Sequence, residues 1–252
     1  MKRAGVAKLV YAHDSKSCGA IHVGSSPTSG TIMQTIHIDK WTPDLAYIVG
    51  LLVTDGCLSS DGRHIIFTSQ DLELIDNFRQ ILGITNSIGK TINRTSEAYR
   101  VQVGSTKLYH WLESIGLTPH KSLTIAEIAV PEQFFLDFLR GHLDGDGSIT
   151  TYLDSYNAEL NSKYVYRRLS VRFISGSATH IDWLQNNIIA LTGIKGKIHK
   201  TRPSHIGNSL SVLKFGKKES LKLLERIYYT NQLRCLTRKR QIYQKFIMEN
   251  ES

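Results

Sequence analysis

Apolar residues recur along this chain at two spacings, and the switches between them divide it into helices and strands. Residues 63–70 alternate, with Ile65 and Phe67 on one face and His64, Thr68 and Gln70 largely on the other, the period of a half-buried strand. Residues 71–82 place Leu72, Ile75, Phe78 and Leu82 at helical spacing. Strands follow near 87–94 and 99–104, where Tyr99, Val101 and Val103 alternate with Arg100 and Gln102, and a helix over 105–115 closes the first half. A connector at 116–130 contains Pro119-His120-Lys121-Ser122. The order then returns, with strands at 148–154 and 165–175, a helix at 177–191, strands at 195–202 and 209–215, and a helix at 217–228. In the second of these strands Leu169, Val171 and Phe173 alternate with Arg168, Ser170 and Arg172. A basic stretch, Leu236-Thr237-Arg238-Lys239-Arg240, leads into a short helix ending near residue 248. Each half, counted with the helix that opens it, reads αββαββα, an α+β pattern.

The two opening helices carry the same motif. The first reads Ile48-Val49-Gly50-Leu51-Leu52-Val53-Thr54-Asp55-Gly56 and the second Leu139-Arg140-Gly141-His142-Leu143-Asp144-Gly145-Asp146-Gly147. Both are apolar, hold an inner glycine and end in Asp-Gly, and Asp55 and Asp146 lie 91 positions apart, about the length of a small domain. Thr42 with Pro43 predicts a capped start for the first helix, and Pro131 is expected to do the same for the second. Gly56 and Gly147 are expected to end the helices in the left-handed conformation. Ala46, Gly50 and Thr54 share one stripe, as do Gly141 and Gly145, so the two helices can approach closely.

Such a pair brings Asp55 and Asp146 together at the helix C-termini. That placement is unfavourable alone, since each carboxylate meets the negative end of a helix dipole and a second like charge. A divalent cation offsets both, and hard oxygen ligands with room for waters and phosphate suit Mg²⁺. The local physics therefore points to a paired-aspartate metal site for phosphodiester chemistry. One Asp-Gly alone would be an ordinary turn; two on matching helices at domain spacing argue against that. A calcium loop starting at Asp144 fails, because its sixth position is Ile149 and its twelfth Ser155.

The paired motifs resemble those of the LAGLIDADG homing endonucleases in their single-chain, two-repeat form, over roughly residues 39–249. The second copy is close to the family pattern; the first departs at Val53 and Thr54, but both copies keep Asp at the family's metal-binding position. The resemblance implies two pseudo-symmetric αββαββα repeats, at 33–128 and 129–252, whose antiparallel sheets form a DNA-binding saddle. It implies a monomeric, Mg²⁺-dependent nuclease that makes double-strand breaks across the minor groove of a long, partly degenerate site. Asp55 and Asp146 would be catalytic and bind metal. Lys121 and Lys239 match places where the family carries basic residues near the active site, and Gln70 matches a polar residue near its water network; a generic surface lysine is the plain alternative for either cation. Arg100, Gln102, Arg168 and Arg172, with Lys197 and His199 as lesser candidates, have the chemistry to read base edges, although a solvated sheet face would alternate in the same way.

Composition narrows the rest. The 252 residues are 41% hydrophobic, and the formal charge of +9 with a pI near 9.4 suits a polyanionic partner such as double-stranded DNA or intron RNA. The longest apolar run is too short to cross a bilayer. Cys18, Cys57 and Cys235 form no zinc or disulfide pattern, so a reducing compartment is expected, either cytoplasm with nucleoid association or an organellar matrix, and not secretion. The ten histidines show no ligand spacing.

Two other classes share the scaffold. A maturase would bind intron RNA without needing both carboxylates, and a DNA-binding regulator would tolerate their loss. Retention of both aspartates favours the enzyme. An intein is not expected, since no Cys or Ser nucleophile follows a plausible start and no His-Asn closes the chain. Residues 1–32 have no apolar core that would make a signal peptide, and they resemble a translated transfer-RNA gene; a basic arm touching DNA is the alternative. Read-through from an upstream gene would put the working start at Met33. N-terminal sequencing of native protein is then expected to begin at Met33, and a start at Met1 would overturn that expectation.

Overall fold

The computed structural model describes residues 36, 38, 40–92, 97–155, 166–202 and 209–251. The expected leader and its read-through lie outside these residues. The first half runs α1 (Pro43–Asp55), β1 (Gly56–Leu58), β2 (His64–Ser69), α2 (Leu72–Leu82), β3 (Gly89–Ile92), β4 (Glu97–Gly104) and α3 (Thr106–Ser114). The second runs α4 (Phe135–Asp144), β5 (Ser148–Asp154), β6 (Tyr166–Ser175), α5 (Ala178–Thr192), β7 (Lys197–Lys200), β8 (Ser211–Phe215) and α6 (Lys217–Ile227), and α7 (Thr237–Glu251) follows. Both halves therefore have the expected αββαββα order. The strands form two four-stranded antiparallel sheets, ordered β1-β2-β4-β3 and β5-β6-β8-β7, which is the same topology twice. No helix among the described residues is long and apolar enough to cross a membrane.

Helices α1 and α4 lie at the centre. From Leu45 to Thr54 every residue of α1 is buried, so its apolar surface has neighbours all round rather than along one stripe. By contrast α2 and α6 are amphipathic, burying Leu74, Ile75, Phe78 and Leu82 in one and Leu223, Leu224 and Ile227 in the other. The sheets offer Ile65, Phe67, Val101 and Val103, and Leu169, Val171, Phe173, Leu213 and Phe215, to the same continuous core.

Glycine sets the approach of α1 to α4. A methyl group at Gly50 would overlap the Phe138 carbonyl and lie 2.7 Å from the His142 nitrogen; one at Gly141 would overlap the Tyr47 carbonyl; one at Gly145 would overlap Thr54 Oγ1. The stripe read from the sequence thus lies at the helix contact.

Several local expectations change. Thr42 caps α1 through Leu45 N, with Pro43 next, as expected. Pro131 instead precedes a 3-10 turn (Glu132–Phe134), and α4 starts only at Phe135. Gly56 is extended (φ −87°), and Gly147 does not have positive φ either. Glycine is required at both for space: a methyl there would lie 2.6 Å from the Leu52 carbonyl oxygen in the first case and 2.7 Å from that of Leu143 in the second. The left-handed caps are Gly83 and Gly193, which end α2 and α5. The basic stretch before the last helix is part of it, since α7 begins at Thr237. Of the strand expected near 87–94, residues 93–94 lie outside the described residues.

A buried arginine braces the helix pair. Arg140 is fully buried, pairs with Asp137 at 2.8 Å, donates through Nε to the Arg234 carbonyl and lies 5.3 Å from the centre of the Tyr47 ring.

Gly50→Ala should destabilise the protein by about 3 kcal/mol or more, because the new methyl meets backbone that cannot rotate away. Gly89→Ala, whose methyl would meet nothing closer than 3.7 Å, should change little. Urea denaturation of the two variants checks this contrast.

Candidate active site

Asp55 is the last residue of α1, and Asp146 sits in the turn two residues beyond α4. Asp55 is half-buried and Asp146 exposed, so both can meet an external ligand. Their helices bring them together: a methyl built on Gly145, next to Asp146, would lie 3.1 Å from Asp55 Oδ2.

Each motif end also holds a lysine. Lys121 and Lys239 are only 7% and 5% exposed, which excludes the generic surface lysine for both. The Lys121 amine donates to the Gly56 carbonyl at 2.5 Å. The Lys239 amine donates to the carbonyls of Leu143, Asp144, Gly145 and Gly147, at 2.7, 2.8, 3.2 and 2.7 Å. Gly56 and Gly147 occupy the same motif position, so the lysines are equivalent, and each comes from the segment that follows the last helix of its αββαββα unit. Each satisfies carbonyls left open at a helix C-terminus and opposes the negative end of its dipole. Burial pushes the Lys239 amine down to about 8, while the negative charges of Asp144, Asp55 and Asp146 act to keep its proton.

Separate elements deliver the two amines. Lys121 sits in the connector just after His120, which is left-handed (φ 54°), and the Ser122 carbonyl that follows lies where a side chain on Gly176 would intrude. Lys239 enters on the first turn of α7. That turn is tied to the first half by Arg238, which binds Asp71 through Nε and Nη2 at 2.7 Å each, and by Thr237, which contacts Glu73. Gln70, adjacent to Asp71, is exposed just past β2.

Asp144, sixth in the second motif, carries no signal of a role in the sequence. It is 1% exposed and accepts from the Tyr47 hydroxyl at 3.0 Å and the Leu236 amide at 2.7 Å, joining α1, α4 and the approach to α7. Burial raises its pKa to about 6. Its counterpart in the first motif is Val53, so the two copies differ here in chemistry. The second motif's His142 is also buried; it faces His180 at 3.2 Å and touches Phe138 and Phe173 edge-on, a packing role.

The donors at the paired ends are all oxygens. Among the described residues no group of three or more His, Cys, Asp or Glu side chains is gathered as a metal cage. Two carboxylates reachable from solvent fit a hard divalent ion that keeps waters or takes phosphate oxygens, and they do not fit a closed zinc site.

The sheets' outer faces carry the other candidates. Arg100 and Gln102 are exposed on β4, hydrogen-bonded to each other at 3.3 Å, and paired with Thr68 and Ile66 of β2. Arg168 is exposed on β6, held by Asp154 at 2.9 Å and lying 5.6 Å from the centre of the Tyr166 ring. Arg172, Lys197 and His199 face the same side of the second sheet. Lys214 joins them on β8, opposite both Arg172 and Lys197. Sequence reasoning missed it, although the alternation of Val212 and Lys214 with Ser211, Leu213 and Phe215 could have revealed it.

Residues 42–116, from the cap of α1 to the end of α3, match the family model described as a LAGLIDADG-like domain. Across the described chain the fold is that of the LAGLIDADG homing endonucleases. The meganuclease I-SmaMI bound to uncleaveable DNA aligns over 84% of this chain and 91% of its own, with 15% identity and a TM-score of 0.57. The I-LtrWI LAGLIDADG homing endonuclease bound to target DNA aligns over 83% and 91%, with 11% identity and a TM-score of 0.53. At these identities the likeness is one of fold. Comparison with curated protein sequences returns no match.

The helix pair yields a pH prediction. Between pH about 4 and 6 the folded protein keeps a proton on Asp144 that the unfolded chain, with an ordinary pKa of 3.8, has released. Wild-type stability from this group therefore falls as pH rises through that window and levels off above it. Asp144→Asn, which can still accept both hydrogen bonds, should flatten this dependence and so gain on wild type as pH rises from 4 to 7. Parallel urea midpoints across that range would contradict this.

Proposed function

We propose that this protein is a site-specific DNA endonuclease, acting as a monomer with Mg²⁺ and cutting both strands of a long recognition site. The observation that carries the reading is the duplicated arrangement at the paired helix ends: an aspartate, a terminal glycine and a buried lysine on that glycine's carbonyl, occurring twice. Such an array offers one set of groups to each strand of a duplex.

Asp55 and Asp146 would hold the metal ions. Bound there, Mg²⁺ supplies an activated water and neutralises charge on the attacking and leaving oxygens. Lys121 and Lys239 hold the glycine carbonyls in place and add positive charge beside the scissile phosphates. Lys239 remains mostly protonated at neutral pH, with its amine near 8. Gln70 orients water, and the outer faces of the two sheets carry the side chains that meet the duplex, Arg100 and Gln102 in one half and Arg168, Arg172, Lys197 and His199 in the other.

The test is cleavage of a plasmid carrying the uninterrupted host locus, with Mg²⁺ and with EDTA. Double-strand cutting is expected only with Mg²⁺. Asp55→Asn or Asp146→Asn should abolish cutting of at least one strand while duplex binding persists. Binding without cutting in the wild type would favour a regulator, and preference for the intron RNA would favour a maturase.

A further inference from the structure

The two motif ends lead into sheet rows of opposite character. Two residues after Asp146 comes Ser148, which lies opposite Arg172; Arg172 lies opposite Lys214, and Lys214 opposite Lys197. These four positions cross the whole second sheet on its outer face, a span of about 14 Å. Three of the four are cations. The matching row in the first sheet begins two residues after Asp55 and runs Cys57, Ile66, Gln102, with no charge.

The cationic row is costly in the free protein. Directly opposed like charges destabilise a sheet, and here two such pairs stand side by side. Among the described residues, neither Lys197, Lys214 nor Arg172 forms an ion pair with a carboxylate. Arg168 on the same face does have one, in Asp154. Arg172 Nε and Ser148 Oγ are shielded from solvent with no hydrogen-bond partner. Charge and unused donors therefore converge on one line next to one of the two carboxylates.

We propose that Arg172, Lys214 and Lys197 form the principal duplex anchor, so that the protein grips DNA chiefly through its second half, immediately beside Asp146. This rests on the nuclease reading and adds an asymmetry to it. The ligand chemistry is the set of acceptor oxygens and nitrogens that duplex DNA presents, from phosphates or from guanine edges. The row's self-repulsion is relieved when these acceptors replace water, so binding strength and free-protein stability oppose each other at this place.

The full chain is titrated with mixed-sequence duplex from about 50 to about 200 mM KCl. Lys214→Gln should reduce the slope of log K against log salt by about 0.9, the change expected when one phosphate is no longer neutralised. The same variant should raise the urea midpoint at low salt, a gain that disappears near 1 M salt, where the Debye length is about 3 Å. Gln102→Lys, which introduces a cation at the matching place in the first sheet, should steepen the slope. A weakening equal across duplex sequences assigns phosphate as the partner, and one confined to guanine-containing duplexes assigns base edges; either supports the anchor. Lys214→Gln binding equal to wild type on every duplex at every salt concentration, or a variant less stable than wild type at low salt, would overturn it. The plasmid assay separates the two ideas: wild-type cutting with normal Lys214→Gln binding removes only the anchor, whereas abolished binding in the variant with no wild-type cutting removes only the nuclease.

Discussion

Everything at the candidate site depends on how closely two helix backbones can lie. Gly50, Gly141 and Gly145 allow α1 and α4 to touch without intervening side chains. Dense packing makes that separation rigid, because neither backbone can yield as a long side chain could. The carboxylates at the helix ends inherit that rigidity. Their mutual repulsion cannot be relaxed by drawing the helices apart, which leaves the site prepared for positive charge.

The protein already meets part of that demand. Lys121 and Lys239 quench the carbonyls at the helix ends, and Lys239 does so at the expense of desolvation, visible in its depressed amine pKa of about 8. They leave both carboxylates reachable from solvent. Beneath them, Arg140 with Asp137 and Asp144 with Tyr47 and Leu236 hold polar groups inside the core. Buried polar groups of this kind cost stability unless each finds a partner, and they tie particular residues to particular neighbours. The second motif carries both, whereas the first has Val49 and Val53 in the same places.

Much of this was readable in the chain. Strong alternation placed β6 within one residue of its observed bounds, and the duplicated Asp-Gly with small residues one turn apart anticipated the helix pair. Weaker signals failed for physical reasons. The three residues of β1 start on the motif's last glycine and are too few to display a period. Pro131 sits before a 3-10 turn because the chain tightens there before α4 begins. Nothing in Leu-Thr-Arg-Lys distinguishes a buried amine from a solvated one, since the carbonyls that accept from Lys239 lie over ninety residues earlier. The roles of Asp144 and Lys214 likewise depend on partners in other elements.

The bonds made by α7 have a consequence for exchange between the halves. Arg238 reaches back to Asp71 and Thr237 to Glu73, while Lys239 turns the other way to the end of α4. The helix therefore belongs to the second half by sequence and to both by bonding. Lys121 plays the corresponding part from the connector, whose Ser122 carbonyl lies against Gly176 of the second half. Bonds from each half therefore complete the surroundings of the other. A recombinant that replaced one half with a copy of the other would keep both aspartates but lose the cross-ties that deliver one of its lysines, so the symmetry visible in the topology is not interchangeability.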